Sequence, residues 1–211
     1  MLDQKSMKLS KPDFLPSALN SVVAEIFVDS KGIIWFGTYR EGFVRFDPVR
    51  RTVKQFIHKR GDASSLGGNN VWSFCEDTQG NLYVGTMGAG LHIMDPQTHK
   101  LKRFVHNPND LTSLCNNDIF RLTLDFDGRV WVGTRNGLTL YDPESEVFKR
   151  YDKSGIYGSW IYDIFLDKAN TLWVGTDMGL NRLDRESGHF VYYGEHEGLR
   201  GNAVMGILDV S

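Results

Sequence analysis

Tyr39 and Trp160 in loops, and Trp72 at the start of a strand where it could equally be core, each offer a flat aromatic face that could stack on a sugar. Arg40, Arg135, Asn136 and Asp177 stand near them in the sequence, with groups that hydrogen-bond hydroxyls or carboxylates. Glu41 and Met87 complete the candidate ligand contacts. Other chemistry finds less support. The six histidines (58, 92, 99, 106, 189 and 196) show no metal-ligand spacing, and only His58 and His106 share a repeat position. The histidines are expected in outer strands or their turns. No Gly-x-Ser-x-Gly, phosphate loop or Cys/His pair occurs. Cys75 and Cys115 form neither a disulfide framework nor a metal spacing and read as two free, mostly buried thiols. No catalytic residue, metal ligand or cofactor is expected.

The elements that would position these residues are set by an internal repeat. Gly32-Ile33-Ile34-Trp35-Phe36-Gly37-Thr38 is matched by Gly80-Asn81-Leu82-Tyr83-Val84-Gly85-Thr86, by Gly128-Arg129-Val130-Trp131-Val132-Gly133-Thr134 and by Asn170-Thr171-Leu172-Trp173-Val174-Gly175-Thr176. The aromatic falls at 35, 83, 131 and 173, giving periods of 48, 48 and 42. An apolar run ending in Asp29, Asp77, Asp125 or Asp167 precedes each motif. A Gly and an apolar residue follow, then Asp47, Asp95, Asp142 or Asp184.

Each unit reads as four strands. In the second, Val71–Glu76 is apolar on both faces, as for a strand buried on both sides. Turns at 77–80, 87–90 and 95–98 separate strands over 81–86, 91–94 and 100–106, the last alternating apolar and polar. A repeated four-stranded antiparallel unit of this length predicts an all-β β-propeller. The recurrent aromatic is expected to fill the wedge between blades. The Gly-Thr is expected to allow close backbone approach and to satisfy a backbone group through the hydroxyl. The Asp residues are expected to form turns.

The expected divisions are an N-terminal segment over 1–18, a possible outer strand of a preceding blade, blades over 19–66, 67–114, 115–157 and 158–199, and the first strand of a further blade over 200–211. Four whole blades with partial strands at both ends suggest a piece of a longer protein. They could form an open arc, or one completed by other blades of the parent or by a second copy of the chain.

Composition bounds the function. Hydrophobic residues are 41% of the 211, charged ones 24%, aromatics 12%, with 22 glycines. Lys plus Arg number 24 against 26 Asp plus Glu, for a net charge of −2, which gives no bulk charge for nucleic acid. No apolar run reaches the roughly 18 residues of a membrane span, and the first residues lack the pattern of a secretion signal.

The stretch from Asn69 to Thr86 and the linker from Asn107 to Asn117 resemble the two-component regulator propeller repeat. The resemblance runs from residue 19 to residue 210. It implies the sensor portion of a hybrid two-component histidine kinase of Bacteroides type, periplasmic in a membrane-anchored parent, binding fragments of a complex polysaccharide without turning them over. The candidate face for an oligosaccharide is the one carrying Tyr39, Arg40, Glu41, Trp72, Met87, Arg135, Asn136, Trp160 and Asp177. Two other readings are a metal-dependent propeller lyase similar to the streptogramin lyases and a protein-interaction scaffold.

Overall fold

The computed structural model describes residues 2–3, 8–9, 21–151 and 155–208. Strands β1 (Leu2–Asp3) and β2 (Lys8–Leu9) form a separate antiparallel pair. The remainder of the segment expected over 1–18 lies outside the described residues.

Sixteen further strands make four antiparallel sheets, each in chain order. The first sheet is β3 (Val23–Val28), β4 (Ile34–Thr38), β5 (Phe43–Asp47) and β6 (Thr52–Phe56). The second is β7 (Val71–Glu76), β8 (Leu82–Thr86), β9 (Gly90–Met94) and β10 (Leu101–Phe104). The third is β11 (Ile119–Leu124), β12 (Val130–Thr134), β13 (Gly137–Asp142) and β14 (Val147–Tyr151). The fourth is β15 (Ile161–Leu166), β16 (Leu172–Thr176), β17 (Leu180–Leu183) and β18 (Phe190–Tyr193). The first strands of successive sheets pack on one another: β3 on β7, β7 on β11, β11 on β15. Sheets fanned about their first strands are blades of a β-propeller, here an open arc of four.

The turns explain the repeated Asp. Oδ1 of Asp29 accepts the N–H groups of Lys31 and Ile33, both at 2.9 Å, closing the β3–β4 turn. Asp77, Asp125 and Asp167 do the same in their blades. The second oxygen has a use the sequence did not reveal. Oδ2 of Asp29 accepts from Nε1 of Trp35 at 2.9 Å, that of Asp77 from the Tyr83 hydroxyl at 3.1 Å, and that of Asp167 from Nε1 of Trp173 at 3.1 Å. In blade 3, Arg129 Nε takes Asp125 Oδ2 instead at 3.2 Å, and the buried Trp131 Nε1 has no partner.

The cores lie between blades. Trp35 packs with Phe74, Leu82 and Met94 of blade 2, Tyr83 with Ile119, Val130 and Tyr141 of blade 3, and Trp131 with Ile161, Ile164 and Leu172 of blade 4. Trp173, last of the series, is only partly buried and lines an open cavity together with Ile207 and Leu208. Gly-Thr behaves as expected. A Cβ on Gly85 would stand 2.6 Å from Ile119 Cγ2, and one on Gly133 2.7 Å from Ile161 Cγ2. The Thr86 hydroxyl donates to the Gly90 carbonyl at 2.7 Å, with Thr38, Thr134 and Thr176 matching it.

The two ends of the arc differ from its middle. Val23 is 36% exposed and Ile26 62%, whereas their counterparts Val71 and Phe74 are 0% and 3% exposed. At the other end, the expected further strand is not a strand over the described residues 200–208. These residues take the corresponding place on blade 4: the Val204 N–H donates to the Thr176 carbonyl at 2.9 Å, and the Val204 carbonyl and side chain lie against Gly175.

Candidate functional site

Every innermost strand slips register near its start, between Val23 and Glu25, Val71 and Ser73, Ile119 and Arg121, and Ile161 and Asp163. The extra residue of such a bulge is re-aimed out of the ladder. Those residues are Ala24, Trp72, Phe120 and Tyr162. The last three join Trp160 in one aromatic row across blades 2 to 4. Trp72 and Phe120 meet edge to face at 6.0 Å, Phe120 stacks on Trp160 at 5.8 Å and 15°, and Trp160 meets Tyr162 at 6.2 Å. The Arg135 guanidinium lies over Trp160, 4.8 Å from the ring centre, and 3.6 Å from the Asp118 carboxylate. Trp160 is 36% exposed, so the row has an open face. Phe120 and Tyr162 were missed in the sequence, although they hold the repeat position of Trp72.

The residues that follow the bulges tie the blades together. The Phe74 N–H donates to Glu25 Oε2 at 2.6 Å, the Leu122 N–H to Ser73 Oγ at 3.0 Å and the Ile207 N–H to Asp163 Oδ2 at 2.8 Å. Arg121 has no acceptor to offer at this position. It reaches sideways instead, to Glu25 Oε1 at 3.3 Å and Asp163 Oδ1 at 3.0 Å, linking three blades. Its Nε is close to Asp163 but out of line for a hydrogen bond, so that contact is Coulombic. Burial raises the Glu25 carboxyl above its usual range, against the opposing pull of Arg121.

Of the expected ligand contacts, Trp72, Trp160 and Arg135 come together through Phe120. Tyr39 and Arg40 form a pair of their own, the guanidinium 5.0 Å from the ring centre, and the Arg40 N–H donates to Asn70 Oδ1. Glu41 is exposed, and its carbonyl accepts from Gln55 Nε2 at 2.9 Å. Met87 is partly buried, its N–H bonded to the Asn70 carbonyl. Asn136 is exposed beside Thr134. Oδ1 of Asp177 holds the N–H groups of Ser159 and Trp160 at 2.8 and 3.1 Å, so this side chain orients Trp160.

One histidine expectation is corrected. His92 lies in β9, a third strand, fully buried, where its Nε2 accepts the Gly67 N–H at 2.9 Å. Thr139 and Asn181 do the same for Cys115 and Tyr157, so this position caps the linkers that precede blades 2, 3 and 4. Burial, helped by Arg103, lowers the His92 pKa to about 4. His58 and His106 each place Nδ1 2.6 Å from a linker carbonyl, of Leu66 and Leu114. Cys75 and Cys115 are buried and form no disulfide among the described residues, and burial pushes the Cys75 thiol far up. Among the described residues no three His, Cys, Asp or Glu side chains are grouped to hold a metal ion.

The profile of the two-component regulator propeller matches residues 17–40, 65–88, 113–136 and 158–178. The chain carries two-component regulator propeller repeats. Each match takes in an innermost strand and the Gly-Thr strand, and the last three together contain the aromatic row. The extracellular domain assigned to a hybrid two-component system of B. thetaiotaomicron is 20% identical, with a TM-score of 0.49 over 88% of this chain and 30% of that one. Virginiamycin B lyase from Staphylococcus aureus is 15% identical, with a TM-score of 0.62 over 80% of this chain and 54% of that one. The chain thus spans about a third of the first of these and about half of the second. At such identities the lyase shares the propeller fold and nothing more is carried over. No curated protein sequence matches. No helix among the described residues is long and apolar enough to cross a membrane.

Proposed function

We propose that this propeller arc is a non-catalytic, ligand-sensing portion of a hybrid two-component sensor, facing the periplasm, and that its ligand is a fragment of a polysaccharide. The repeats support the sensor assignment. The observation that carries the ligand reading is the row Trp72–Phe120–Trp160–Tyr162, contributed by three blades and flanked by Arg135. Stacked aromatic faces beside a guanidinium suit sugar rings and their hydroxyls.

Calorimetric titration of the chain with an oligosaccharide panel, with and without Mg²⁺, tests this reading. A binder whose affinity falls about tenfold or more in Trp160→Ala, with no product formed, is expected. Metal-dependent turnover would establish the lyase reading instead. Absence of binding across the panel, with a protein partner retained, would favour a scaffold.

A further inference from the structure

The connections β7–β8 and β9–β10 of blade 2 face β11–β12 and β13–β14 of blade 3 across a cleft of about 970 Å³. These turns lie at the strand ends opposite to the loops beside the aromatic row. The cleft is a departure from the repeat. Between blades 1 and 2, the Ser30 N–H and hydroxyl clasp the Glu76 carboxylate at 2.6 and 3.0 Å, and the space beside them is about 90 Å³. Between blades 3 and 4, Arg185 reaches Asp127 at 3.3 Å. Between blades 2 and 3 the counterparts of Ser30 and Glu76 are Thr78 and Leu124, and an apolar side chain gives Thr78 nothing to bond. The wedge stays open below an ion pair of Lys102 and Glu146, 2.5 Å apart.

The lining selects the chemistry of an occupant. Blade 2 presents Lys100 and Lys102 with the carboxylates of Asp77 and Asp95, and blade 3 presents Arg129 with the carboxylates of Asp127, Asp142, Glu144 and Glu146. A ligand of either net charge would meet its like on both walls. A hydroxyl, donor and acceptor at once, finds a partner on each. The floor includes Ile93 and Tyr141, which give C–H faces an apolar seat. The volume lies at the upper end of the range for ligand pockets, roughly 300–1,000 Å³.

We propose that this cleft is a second site on the arc and that it takes an uncharged oligosaccharide. The proposal rests on the saccharide-sensing reading and adds a location and a class to it. The test is titration with maltotriose, cellotriose, xylotriose and mannotriose, and with an oligogalacturonate of the same length. The proteins are the chain itself, the double variant Lys100→Ala/Glu144→Ala, and Trp160→Ala. Both altered cleft side chains are exposed, so the fold is retained, which thermal unfolding checks. The expected result is a second binding event for a neutral trisaccharide, independent of salt, about tenfold weaker in the cleft variant and kept in Trp160→Ala, which weakens only the event at the aromatic row. Loss in Trp160→Ala alone would overturn the cleft site and leave the aromatic row as the receptor. Salt-sensitive preference for the oligogalacturonate would overturn the uncharged class. No binding of any sugar would overturn both readings.

Discussion

His92 shows how one buried side chain makes stability depend on pH. Its ring accepts the Gly67 N–H through Nε2, so the proton sits on Nδ1, which has no partner. In the fold it ionises only at about 4, whereas the unfolded chain takes up that proton near its ordinary value of 6.5. Between these values the unfolded state binds more protons. The stability is therefore complete above about pH 6.5 and lost as pH falls toward 4, by up to about 3 kcal/mol. Urea midpoints measured across that window should fall with pH in the native protein. Replacing His92 by Thr or Asn, the residues that do its work in blades 3 and 4, should flatten the response while keeping an acceptor for Gly67. A variant as pH-sensitive as the parent would show that another group is responsible.

At the scale of the element, the unit of stability is the contact between one blade's Gly-Thr strand and the next blade's first strand. Gly85 has ordinary backbone angles, so its role is space: Ile119, wholly buried, fills the room a Cβ would need. Gly85→Ala is expected to cost about 1–3 kcal/mol by overpacking. Ile119→Ala costs about 2–5 kcal/mol through its cavity. The double variant should lose less than the sum of the two, since each change relieves the other. Urea denaturation of the four proteins gives the coupling, and strict additivity would argue against this contact. The outer strands are supported differently. The Leu101 N–H donates to the Ser64 carbonyl and the Phe148 N–H to the Thr112 carbonyl, so the preceding linker covers part of the edge strand.

Across the whole molecule, openness of the arc sets which apolar residues matter. Ile26 and Ile164 occupy the same repeat position, but one is 62% exposed and the other 3%. Ile26→Lys should change stability by no more than about 0.5 kcal/mol, whereas Ile164→Lys buries a charge and should cost more than about 4 kcal/mol. Chemical denaturation of both variants checks this. Equal, large losses would mean that blade 1 is packed against something in solution. The Glu25–Arg121–Asp163 link works at the same scale, joining residues 96 positions apart in the case of Arg121 and Glu25.

Strands, turns and the four-fold repeat were legible in the sequence because they rest on neighbours. An Asp caps N–H groups two and four residues on, and strand alternation needs only a few residues of context. The repeat also exposed Trp72 and Trp160, since residues that vary stand out against a constant frame. Phe120, Tyr162, the paired use of Asp29 and Trp35, and the cleft between blades 2 and 3 were settled by tertiary structure alone. Each depends on a bulge, a side-chain direction or a missing clasp between blades. Blade packing brings residues tens of positions apart within a few ångströms, and local periodicity carries no record of which side chains then face each other.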